Sequence, residues 1–67
     1  MSKEDQKLAK IFREAREESG LTQAGLAKKG GFNANYYARV ERGEVTPRVD
    51  IVEKIAKALN ISLRFPL

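Results

Sequence analysis

Asn35 and Arg39 stand four positions apart in a stretch that opens with Leu21-Thr22-Gln23 and closes with Glu41-Arg42-Gly43. Both carry a hydrogen-bonding edge that matches a base edge, the amide pairing bidentately with adenine and the guanidinium with guanine. Gln23, Asn33 and Arg42 add further amide and guanidinium groups, and Ala27 and Gly31 lie between the two ends of the stretch. This spacing predicts two short helices joined by a tight turn, the second stopping at Gly43. Such a pair projects one helix from a small body, and a projecting helix with basic ends fits the major groove of DNA.

Other chemistry is poorly served. The 67 residues include no Cys and no His, which removes disulfides, thiolate ligands and the usual general base. The carboxylates are scattered over helix faces expected to be solvated, and no glycine loop is built to cradle a phosphate. Neither catalysis nor a cofactor, metal or small-molecule substrate is expected. The length allows a single domain, residues 1–67, which buries only about 60% of the surface exposed by the unfolded chain. The charged N-terminal stretch does not read as a signal peptide. No segment approaches the ~20 apolar residues of a membrane helix. A cytoplasmic protein is expected.

The net charge of +4 is unevenly spread. Residues 1–21 hold five cations and five anions. Residues 22–48 hold Lys28, Lys29, Arg39, Arg42 and Arg48 against Glu41 and Glu44, an excess of +3. Lys54, Lys57 and Arg64 against Asp50 and Glu53 leave +1 for the remainder. The excess therefore sits on the two candidate helices and their turn, where a basic surface would attract a phosphate polymer.

Four helices and a short tail would position these groups. Ser2 and Asp5 read as a capping box for the first, with Leu8, Ile11, Phe12 and Ala15 as its apolar stripe and Gly20 as its stop. Thr22 caps a second helix that turns Leu26 and Ala27 inward and ends at Gly30-Gly31. Asn33 caps a third, with Phe32, Tyr37 and Val40 inward and Ala34, Asn35, Ala38 and Arg39 on the opposite face. Thr46-Pro47 is expected to start the fourth, with Pro47 in the first turn. Val52, Ile55, Ala56 and Leu59 form its stripe, and Asn60 its stop. Ile61, Leu63 and Phe65 then alternate with polar residues until Pro66, which bars another helix.

Leu21-Thr22-Gln23, Leu26-Ala27, Gly31, Val40-Glu41-Arg42-Gly43 and Pro47 resemble the phage-repressor family of helix-turn-helix proteins, the Cro/C1 or Xre type. The likeness runs from about Leu8 to Leu63, with the motif itself at about 22–42. It implies an all-α, four-to-five-helix DNA-binding domain of the lambda-repressor kind, here with a short extended C-terminal tail. It also implies a regulator of transcription, a repressor or autoregulator, that binds operator DNA as a homodimer.

Residue roles follow from that resemblance. Ala34, Asn35 and Arg39 match the family's base-reading positions. Thr22, Gln23, Asn33, Tyr36 and Arg42 match or flank its phosphate contacts, with Lys28 and Arg48 as weaker candidates. Arg16 and Glu41 match a pair that locks the first helix to the third. Ala27, Gly31, Val40 and Gly43 match structural positions. Tyr37 departs from the usual branched aliphatic residue; its ring is expected to fill core volume, with the hydroxyl reaching the surface or a phosphate. Gly25, inside the second helix, is a second departure, expected to cost about 1 kcal/mol relative to Ala.

The same fold also serves antitoxins and bridging factors whose main partner is a protein, so an interaction module is the competing reading. Exposure of Asn35 and Arg39 would favour DNA over a protein partner. For assembly, the apolar face of the tail with the fourth helix is the expected dimer surface; the alternative is that the tail folds back onto its own core.

Overall fold

The first three helices start at a capping side chain, and all four stop at a left-handed residue. In the computed structural model, which describes residues 2–63, helix α1 spans Lys3–Glu18, α2 Gln23–Gly30, α3 Ala34–Glu41 and α4 Val49–Leu59. Ser2 Oγ accepts from the Asp5 N–H at 3.0 Å, Thr22 Oγ1 from Gly25 at 2.9 Å and Asn33 Oδ1 from Tyr36 at 2.9 Å. Each bond satisfies an N–H that would otherwise lack a partner in the first turn.

The chain leaves each helix through a left-handed residue: Gly20, Gly31, Gly43 and Asn60. At the end of α3, Gly43 N–H donates to Val40 O and Glu44 N–H to Arg39 O, both at 3.0 Å, the paired bonds of a Schellman motif. Gly31, with φ +76°, makes the turn between α2 and α3, where a Cβ would be strained.

The fourth helix starts later than the sequence suggested. Pro47 precedes the helix and is buried, Arg48 occupies the N-cap without a side-chain bond, and Val49 is the first helical residue. Thr46 lies two residues before the N-cap, and its hydroxyl donates to Asp5 Oδ2 at 2.6 Å. That bond ties the α3–α4 loop to the first turn of α1.

Phe12, Leu26, Tyr37, Val40 and Ile55 are the largest fully buried side chains, so every helix contributes to one core. α1 and α2 each pack against both α3 and α4. Packing on two neighbours widens the apolar face of α1: Ala9 is buried with Leu8 and Phe12, while Ile11 is only half-buried. Val52, Ile55, Ala56 and Leu59 of α4 are all buried. Ile61 and Leu63 are half-buried against the same core, while Arg64, Phe65 and Pro66 lie outside the described residues. No helix among the described residues is long and apolar enough to cross a membrane.

Candidate nucleic-acid interface

The third helix is held from behind by a charged network. Glu41, only 5% exposed, accepts from Arg16 Nε at 2.6 Å, Arg16 Nη2 at 3.1 Å and Gln23 Nε2 at 3.1 Å. Arg16 Nη1 also donates to Leu21 O at 2.8 Å. One carboxylate thus joins the end of α1, the start of α2 and the last residue of α3. Burial alone would raise the Glu41 pKa, but the hydrogen bonds from Arg16 and Gln23 hold it below the ordinary carboxylate range. The hydrogen bond to Glu41 raises Arg16 correspondingly. Both groups therefore stay charged, as a buried pair must if neither is to be left unpaired.

Tyr37 fills core volume with its ring as expected, but its hydroxyl does not reach the surface. Its side chain is wholly buried and its hydroxyl, facing the Arg16–Glu41 pair, has no hydrogen-bond partner. Burial pushes its pKa well up. The hydroxyl cannot reach a phosphate, because position 37, nearly one helical turn before the buried Val40, shares its inward face. Its ring meets Phe32, with centroids 5.5 Å apart.

The opposite face of α3 is open. Asn35 and Arg39 are exposed, Ala34 and Ala38 half-buried, and the Arg39 side chain retains 55% of its accessible surface. Asn33 and Thr22 are exposed at their caps, and Gln23 is half-buried at the start of α2. Tyr36 flanks the face and rests partly on the core. Arg42 caps the end of α3 and is exposed. Lys28 is exposed at the end of α2, and Arg48 pairs with Asp50 at 3.5 Å. Ala27 and Val40 are buried structural positions.

One participant is absent from the sequence reading. The Glu44 carboxylate lies 3.8 Å from Arg39 Nε and accepts from Arg42 Nε and Nη2. The hydrogen bond from Arg42 lowers the Glu44 pKa. The signal was present in Gly43: a glycine that closes a helix by a Schellman motif returns the next residue to the carbonyl five positions back, which here is Arg39.

A short helix, an αL glycine turn and a second helix with an exposed polar face match a known pattern. Residues 12–65 match the helix-turn-helix family model. The chain belongs to the helix-turn-helix family, in its Cro/C1, Xre-type branch. This helix-turn-helix chain is 37% identical over 51 residues to an uncharacterized HTH-type transcriptional regulator of Sinorhizobium fredii, covering 76% of itself and 66% of that protein. A counterpart in Methanothermobacter thermautotrophicus is 36% identical, with 75% and 72% covered. One in Mycobacterium tuberculosis is also 36% identical, but only 37% of that longer protein is spanned, against 78% of this chain. The chain thus spans from just over a third to somewhat over two thirds of these relatives.

Among solved structures, the restriction-modification controller protein C.Esp1396I, a tetramer on its natural operator, superposes with a TM-score of 0.88 at 29% identity. The match covers 92% of this helix-turn-helix chain and 82% of that one. The same controller protein in its wild-type crystal gives 0.87, again at 29% identity, with 92% and 80% covered.

Proposed function

We infer that the protein binds double-stranded DNA sequence-specifically and regulates transcription, acting as a repressor or autoregulator. The observation that carries this is the division of α3: Tyr37, Val40 and Glu41 are anchored in the body, while Asn35 and Arg39 project with a small residue, Ala34, beside them. A helix so presented can enter the major groove, with Arg39 addressing guanine, Asn35 adenine and Ala34 offering a methyl contact. Gln23, in the first turn of α2, Thr22, Asn33, Tyr36 and Arg42 would then lie where the strands' phosphates pass, positioning the helix without reading sequence. The HTH-type regulator names of the relatives and the operator complex of the controller protein support this reading. It assigns the protein no catalytic step.

One recognition helix reads few base pairs, and two half-sites a helical turn apart require a dimer. We place the dimer surface on α4. Val49 is 69% exposed and borders a groove lined by Val52, Ala56, Ile61 and Leu63 together with the charged Glu53 and Lys57. Ile61 and Leu63 line that groove while packed against the chain's own core, the alternative arrangement expected of the tail.

Selection from random duplexes, followed by titration of the selected site, tests the reading. Arg39→Ala should weaken that site by about 1–3 kcal/mol and relax preference at one base pair. Gln23→Ala should weaken all sites about equally. An unenriched pool, or Arg39→Ala without effect on affinity and preference, would overturn the reading and leave a protein partner as the alternative.

A further inference from the structure

We propose that Glu44 is a positioning residue that orients Arg39 for base readout and penalises DNA to which Arg39 cannot bind. The proposal rests on the DNA-binding reading above and adds a residue which that reading does not require.

The backbone makes the arrangement local and reproducible. Gly43 takes φ +71°, and the Glu44 N–H is bonded to the Arg39 carbonyl at 3.0 Å. Residue 44 is therefore delivered over the last turn of the recognition helix, not left in a free loop. Its carboxylate approaches Arg39 from the Nε side at 3.8 Å, an ion-pair distance. It takes hydrogen bonds from Arg42 Nε and Nη2. A guanidinium has five N–H donors in a fixed plane. A carboxylate on the Nε side of Arg39 leaves its terminal Nη edge to face the N7 and O6 of guanine.

Two consequences follow. An arginine held on its Nε side by that carboxylate would lose less side-chain freedom on binding, so its contact with the correct base would be strengthened. The same carboxylate, 42% exposed, approaches a phosphate-rich surface with every docking event. It therefore weakens binding wherever the Arg39 contact fails to compensate, a repulsive element that creates discrimination. An ordinary surface charge would act on every duplex alike: removing one from a DNA-facing surface would raise affinity for all of them.

The test compares the full chain with Glu44→Gln on three duplexes: the selected site, that site with the Arg39-dependent base pair changed, and a random sequence. Circular dichroism checks that the helices are retained. Glu44→Gln should bind the random duplex several-fold more tightly, while its discrimination at the Arg39-dependent pair falls about tenfold. Combined with Arg39→Ala, it should cause no further loss of discrimination, since coupled residues are non-additive. Equal tightening on all three duplexes would overturn the proposal, as would additive losses in the double variant. A wild-type chain with no preference among the duplexes would instead overturn the DNA-binding reading, and this proposal with it.

Discussion

Glu41 accepts hydrogen bonds from two other helices, and its ionisation is therefore linked to folding. A carboxyl whose folded pKa lies below its unfolded value adds stability above the unfolded value and loses it as pH falls through the folded one. The unfolded value for glutamate is about 4.3, and the folded value of Glu41 is lower. The melting temperature should thus fall on acidification below about pH 4. Glu41→Gln should be less stable near neutrality and should flatten this acid limb; an unchanged limb would separate Glu41 from acid unfolding. Four residues earlier, Tyr37 buries a hydroxyl without a hydrogen-bond partner. Leaving such a group unsatisfied costs about 1–3 kcal/mol, so Tyr37→Phe should raise stability by about 1 kcal/mol in urea unfolding. A loss of that size would show that the hydroxyl is bonded to Glu41. Neither outcome should alter DNA preference, because position 37 faces away from Asn35 and Arg39.

The junction between α2 and α3 depends on two adjacent glycines for different reasons. Gly31 needs its left-handed backbone, as its φ of +76° shows. Gly30 has ordinary helical backbone but lies beneath Phe32: an added Cβ would come within 2.2 Å of the ring. That ring cannot swing away freely, because it packs against Tyr37 and the core. Gly30→Ala should therefore destabilise the fold by about 1–3 kcal/mol, the usual cost of overpacking, although Ala is the better helix former. Equilibrium denaturation measures this, and a more stable variant would mean that Phe32 relocates without cost. Gly25 is a smaller case of close approach, since a Cβ there would lie 3.1 Å from the capping Thr22 oxygen. The helix-propensity gain expected of Ala at that position is opposed by crowding of the cap.

Assembly belongs to the whole molecule. The four helices consume most of their apolar surface internally, and among the described residues Val49 is the one large hydrophobic side chain left exposed. If the α4 surface joins two copies, Val49→Glu should yield monomers in sedimentation at concentrations where the parent chain is dimeric. An acidic residue at the first position of a helix complements its dipole, so α4 itself should be preserved. A chain that is monomeric at high concentration and binds one per DNA site would remove the dimer from the reading.

The four helices were legible in the sequence because their signals are local. Capping side chains, left-handed glycines and apolar spacing act within one turn or two, and Ser2, Thr22, Asn33, Gly31, Gly43 and Asn60 perform the tasks their types imply. Exposure of Asn35 and Arg39 followed from the same periodicity. The Arg16–Glu41 pair, 25 positions apart, was accessible only through resemblance, since no local rule links the end of one helix to the end of another. Tertiary structure alone decided the rest. It buried the Tyr37 hydroxyl, bonded Thr46 to Asp5 across the fold and laid Ile61 and Leu63 against the core. Each of these depends on which surfaces meet when the helices pack, and that is a property of the assembled core.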